Sequence, residues 1–159
     1  MSDTDTAISR RRFCGGACQV ASAATLATLF TACGGGSSSP TSPSSPASML
    51  RVMAGRFTGS GVQVTAAGSP LADVGGAVVV ESTAGVFLLA RMSASAFSAV
   101  EAVCTHEGCT INGAAADIYV CPCHGSRYNR SGQVVNGPAK ASLRQYATTF
   151  TDGVVTIAL

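Results

Sequence analysis

The stretch that organises the chain runs Cys104-Thr105-His106-Glu107-Gly108-Cys109 and, eleven residues later, Cys121-Pro122-Cys123-His124-Gly125-Ser126-Arg127-Tyr128. It holds four of the seven cysteines and both histidines of the 159-residue chain. Cysteine sulfur and imidazole nitrogen are soft to borderline ligands, suited to iron, zinc and copper. Two short runs that concentrate them point to a metal centre built from two loops.

The two runs divide in the same way. Each supplies one Cys and one His: Cys104 with His106, and Cys121 with His124. One tetrahedral metal takes four ligands, so all the cysteines and histidines together are too many for it. Cys109 and Cys123 are left over, one in each run. In an oxidising compartment two such thiols facing one another form a disulfide. A Cys109–Cys123 bond closes a loop of about 15 residues, on the order of 3 kcal/mol in the chain-entropy account. Two thiolates and two imidazoles can hold zinc, or a two-iron cluster bridged by sulfide. At this level both remain open.

Outward from the two runs, the sequence reads as a small all-β protein. Short apolar and β-branched segments recur at residues 63–65, 77–81, 86–91, 96–103, 118–121, 133–135, 146–151 and 154–158. Turn residues separate them: Gly68-Ser69-Pro70, Gly75-Gly76, Gly113, Ser131-Gly132, Asn136-Gly137-Pro138 and Asp152-Gly153. Asp152-Gly153 between two strand-like runs is a hairpin signal. The expectation is stacked antiparallel sheets, with the two Cys/His runs at the tips of hairpin-like excursions. Charged residues make up only 11% of the chain and the net charge is +2. No basic stripe interleaved with aromatics is present, so nothing points to nucleic acid. Both histidines are committed to the metal site, which leaves no Ser/His/Asp set. Glu101 and Glu107 stand apart rather than as a carboxylate pair. No independent substrate site is expected.

Residues 1–48 read as targeting and tether. Ser9-Arg10-Arg11-Arg12-Phe13 precedes an uncharged, small-residue apolar stretch, the pattern of an export signal. The paired arginines resemble a twin-arginine signal, a route that carries proteins already folded. The stretch ends Leu29-Phe30-Thr31-Ala32-Cys33-Gly34, which resembles a lipobox with Cys33 as the lipidated residue. The alternatives are a retained helix of about 20 residues crossing the bilayer, or simple cleavage. Residues 34–48, rich in Ser, Pro and Gly, read as a flexible linker. This divides the chain into a signal or anchor (1–33), a linker (34–48) and a folded domain (49–159).

The runs CTHxGC and CPCHGS together resemble the Rieske [2Fe-2S] proteins, over roughly residues 77–159. In such a centre two His replace two Cys on one iron. The resemblance implies that Cys104 and Cys121 hold one iron and His106 and His124 the other. It implies a Cys109–Cys123 disulfide, as in the high-potential cytochrome bc-type branch. Gly137-Pro138-Ala139 resembles the loop that covers the cluster there. Ser126 and Tyr128 match hydroxyls that donate to cluster and ligand sulfur. Donors aimed at sulfur stabilise the charge added on reduction, so the potential is expected in the upper part of the ~−150 to +300 mV Rieske range. Exposed histidine ligands would couple electron uptake to proton uptake at alkaline pH.

The function implied is one-electron transfer on the periplasmic side of the bacterial cytoplasmic membrane, with the domain tethered there by lipid or helix. The partners implied are a quinol-oxidising complex, a cytochrome c or another oxidoreductase. Glu107 stands where the bc-type proteins commonly carry Leu, which sets quinol docking in question. A second reading is a ferredoxin-like component of an oxygenase or of a molybdenum oxidoreductase. The oxygenase members are typically cytoplasmic and lack the extra cysteine pair. A third is a structural zinc module, which leaves Cys109, Cys123, Ser126 and Tyr128 unexplained.

Overall fold

The computed structural model describes residues 46–159. The signal, the lipobox with Cys33 and most of the linker lie outside the described residues. No helix among the described residues is long and apolar enough to cross a membrane.

Three sheets stack as layers. The middle sheet decides the architecture. It contains β2 (Arg51–Ala54), β5 (Ala77–Ser82), β6 (Gly85–Arg91), β7 (Phe97–Glu101) and β12 (Gln145–Tyr146), in the order β12-β7-β6-β5-β2. On one side lies a four-stranded sheet of β3 (Arg56–Phe57), β4 (Gly61–Thr65), β13 (Thr148–Thr151) and β14 (Val154–Ala158), ordered β13-β14-β4-β3. On the other lies a second five-stranded sheet: β1 (Ser48–Met49), β8 (Gly113–Ala115), β9 (Ile118–Val120), β10 (Arg127–Asn129) and β11 (Val134–Asn136), in chain order. Every pairing between these strands is antiparallel except β2 with β5, which is parallel.

The middle position explains the sequence of β5 and β6. Side chains along a strand alternate between faces. Val78, Val80, Phe87, Leu89 and Ala99 point into one core with Val62, Val64, Val155 and Ile157. Ala77, Val79, Leu88, Ala90 and Val100 point into the other. Both faces are covered, so the strands read as continuous apolar runs rather than as alternation. Register keeps the faces consistent: Val78 sits opposite Leu89, and Val79 opposite Leu88.

The second core belongs to the metal site as much as to the fold. It also contains Cys104, Ile111, Tyr119, Cys121, Tyr128, Ala139 and Leu143. The site is therefore seated on the apolar face of β5, β6 and β7.

The structure corrects some local readings. Gly113 is a buried residue of β8, not a turn. The predicted strand at 146–151 is two strands in different sheets. Gln145 and Tyr146 pair with β7, whereas residues 148–151 pair with β14, so the chain crosses between layers at Ala147. Five strands of two to four residues, β1, β2, β3, β8 and β10, are too short to carry a period-two signal. Asp152 and Gly153 do form the hairpin turn, with φ of 50° and 78°.

Candidate metal centre

The first Cys/His loop leaves the middle sheet after β7. Val103 and Thr110 form an isolated antiparallel bridge that pinches its base. Within it the Cys104 N–H donates to the Cys109 carbonyl at 2.9 Å and Gly108 N–H to the Cys104 carbonyl at 2.8 Å. The second loop is the turn between β9 and β10. It repeats the pattern: Cys121 N–H donates to the Ser126 carbonyl at 2.9 Å and Gly125 N–H to the Cys121 carbonyl at 3.0 Å. Gly108 and Gly125 both have positive φ, 74° and 71°, a conformation that favours glycine. The CTHxGC and CPCHGS spacings are thus the local grammar of two matching tight loops.

Cys109 and Cys123 are joined by a disulfide, with Cα atoms 6.5 Å apart. It locks the two loops together. Cys104 and Cys121 are the free cysteines among the described residues, and both are buried. His106 and His124 face each other edge to face, ring centroids 5.0 Å apart, with side chains 29% and 49% exposed. The centre therefore has a buried sulfur end and an exposed imidazole end.

Donors converge on the sulfur end. Tyr128 Oη lies 3.3 Å from Cys104 Sγ. Thr105 N–H donates to the same Oη at 3.2 Å, and Thr105 Oγ1 lies 3.0 Å from it. Thr105 Oγ1–H in turn donates to the Ala141 carbonyl at 2.6 Å. Threonine has a single hydroxyl proton, and Ala141 takes it. The Tyr128 proton is therefore the one shared between Thr105 Oγ1 and Cys104 Sγ. The fully buried Ser126 accepts from Ala139 N–H at 3.1 Å.

These contacts set the acidity of the two thiols. Burial pushes the Cys104 thiol up. Donation from Tyr128 foremost, then from the His106 N–H, Cys121 and Ser126, outweighs it and leaves the thiol below its ordinary value. Burial pushes Cys121 up, and the neighbouring Cys104 adds to this against the Cys123 and His124 N–H groups. Of the pair, Cys104 is the better thiolate. Burial and the bond to Cys104 raise Tyr128, so the phenol keeps the proton it donates.

The donor set fits a [2Fe-2S] cluster with two sulfur and two nitrogen ligands. Two free thiols sit where N–H and O–H donors stabilise negative charge, and two imidazoles stand beyond them. Cys109, Cys121 and Cys123 also lie close enough to share a metal. Two of these sulfurs are spent in the disulfide, so that trio is not a ligand set. His106, Glu107 and His124 form a second group of neighbouring ligand atoms, all on the surface.

The loop at Gly137, Pro138 and Ala139 lies against Ser126. The Gly137–Pro138 peptide is cis, Ala139 is buried, and Ala139 N–H is tied to Ser126. Thr105, His106, Pro138, Ala139, Lys140 and Ala141 line a cleft of about 490 Å³ beside the first histidine. Sequence reading missed Thr105, which lies inside CTHxGC and directs the Tyr128 proton. It also missed Arg130, whose Nη2 donates to the Ala116 carbonyl at 2.7 Å. The Arg130 guanidinium stacks 4.6 Å from the Tyr119 ring centre, holding the β8–β9 turn.

The family model for the Rieske [2Fe-2S] domain matches residues 62–147, more than half of the chain. The chain belongs to the Rieske [2Fe-2S] family. Its cofactor is accordingly a [2Fe-2S] cluster, and the protein is a Rieske-type iron–sulfur electron carrier. The cytochrome b6-f complex iron-sulfur subunit of Chlorobaculum tepidum is 40% identical over 63 residues, 39% of this chain and 35% of that subunit. The chain thus spans about a third of that curated relative. The plasma membrane Rieske protein of Synechocystis is 30% identical, covers 52% of this chain and 86% of its own, and gives a TM-score of 0.48. The ferredoxin of carbazole 1,9a-dioxygenase from Nocardioides aromaticivorans shares the fold at 17% identity, with a TM-score of 0.51 over 62% of this chain and 97% of its own.

Proposed function

We propose that the domain passes single electrons through a high-potential Rieske cluster in the bacterial cell envelope. Cys104 and Cys121 hold one iron, and His106 and His124 the other. The observation that carries the high-potential reading is the Tyr128 hydroxyl 3.3 Å from Cys104 Sγ. Ser126 supports it from a fully buried position. A bound cluster supplies the one-electron chemistry. The chain's residues hold protons against sulfur, exclude water from the thiol end, and leave the imidazole end open to a partner. Donors fixed on a ligand sulfur favour the more negative, reduced state.

The partner is a quinol-oxidising complex, a cytochrome c or another respiratory oxidoreductase, with the domain as subunit or soluble-side component. The relatives named as cytochrome b6-f subunits support this class. The Cys109–Cys123 disulfide supports an oxidising compartment, and hence export by the twin-arginine-like signal. The domain is then tethered on the periplasmic side through Cys33 or a retained helix, with residues 34–48 as linker. Two experiments test this reading. Ascorbate, a mild reductant, should bleach the purified protein, and a need for dithionite would refute the high potential. Mass spectrometry of the membrane-fraction protein should find a lipidated Cys33 or an intact leader. A soluble protein cleaved after export would refute the tether.

A further inference from the structure

Glu107 is the acidic residue of the two Cys/His loops. Its side chain is 60% exposed, with Oε2 3.5 Å from His124 Nδ1 and Oε1 4.0 Å from His106 Nε2. The carboxylate thus stands between the two rings at the exposed end of the centre. Among the described residues the sheets lie on the thiol side and leave the carboxylate exposed. Any partner that approaches the imidazoles meets this carboxylate.

A carboxylate is costly to bury in an apolar site unless a cation meets it there. An exposed tip of this kind is poorly suited to plug into an apolar pocket. It suits a protein surface that offers ammonium or guanidinium groups. Lys140 lines the cleft beside His106. The described domain is close to neutral, so the selection is local rather than a long-range field. We propose that Glu107 is the specificity-determining residue of the electron-exit face, and that the partner is a redox protein presenting Lys or Arg around its electron-accepting edge. This rests on the reading of Cys104, His106, Cys121 and His124 as the cluster site.

A charge at the rim of a transient contact acts mainly on association rate and on its salt dependence. The test uses the full chain with its cluster, reduced and mixed by stopped flow with a basic c-type cytochrome at several ionic strengths. Wild type, Glu107→Gln, Glu107→Lys and Asp152→Asn are compared. Asp152 lies in the β13–β14 turn of the outer sheet, and Asn tolerates its positive φ. The second-order rate constant should fall more steeply with salt for wild type than for Glu107→Gln. At low salt Glu107→Gln should be several-fold slower and Glu107→Lys slower again, with Asp152→Asn like wild type. A change in driving force would shift absolute rates but not the salt slope. Equal slopes for wild type and Glu107→Gln would overturn the proposal, as would an equal loss in Asp152→Asn. An EPR signal from each reduced sample keeps the cases apart. Its absence in wild type would refute the cluster reading itself, whereas its presence with equal slopes refutes only the role of Glu107.

Discussion

Replacing Tyr128 by Phe removes one oxygen and leaves the buried ring in place. That oxygen is 3.3 Å from Cys104 Sγ, and Thr105 N–H donates into it at 3.2 Å. Because the Thr105 hydroxyl proton is held by Ala141, no neighbouring hydroxyl at that position can replace the lost donor. A hydrogen bond to a charged group is worth about 1.5–3 kcal/mol. The sulfur is negative in both redox states, so only the strengthening on reduction counts. Taking roughly half of about 2 kcal/mol as redox-dependent, and ~59 mV per tenfold for one electron, gives a fall of about 40 mV in midpoint potential. Protein-film voltammetry at one fixed pH measures it. Thr105→Val is the matched control: it removes the competing acceptor and leaves the whole Tyr128 proton to sulfur, so its potential should not fall. A Tyr128→Phe shift smaller than ~10 mV, or an upward one, with the cluster's EPR signal intact would mean that the Tyr128 hydroxyl does not tune the potential.

Three further outcomes follow from the same contacts. Ser126→Ala should lower the potential as well, and it strands the buried Ala139 N–H. That should cost about 1–3 kcal/mol in a denaturant melt. The double change Cys109→Ser with Cys123→Ser should destabilise the domain by about 3 kcal/mol, read as a lower thermal midpoint, with faster loss of colour. Gly132→Ala should cost about 1–3 kcal/mol with no change in potential, as a purely structural comparison. Gly132 has φ of 78°, and an added Cβ would sit 3.0 Å from Leu143 Cβ and 3.1 Å from Val100 Cγ1.

Much of the site was legible because its chemistry is local. Cys104, His106 and Cys109 share one tight loop, and Cys121, Cys123 and His124 share the other. Loops of this kind write their geometry into residue type and spacing. The disulfide was legible because pairing the ligands left two thiols over. The place of Gly137, Pro138 and Ala139 beside the site was legible only by resemblance, since Ala139 reaches Ser126 through the fold. The route of the Tyr128 proton was not legible. It depends on Ala141 taking the Thr105 hydroxyl proton from 36 residues away. The long strands β5, β6 and β14 showed in the sequence as runs of β-branched and apolar residues. What the runs of β5 and β6 concealed was a middle layer with two cores, because continuous burial erases the alternation that marks a face. Short strands such as β1, β8 and β10 are held by their neighbours rather than by their own propensity, and so left little trace.

Whether the chain carries a high-potential [2Fe-2S] cluster is decided by an EPR-monitored redox titration of the purified protein. The protein should be coloured and gain a paramagnetic signal of one spin per chain on reduction. Its midpoint should fall in the upper part of the ~−150 to +300 mV Rieske range. A colourless, zinc-loaded protein with no signal in the reduced state would contradict the presence of the cluster.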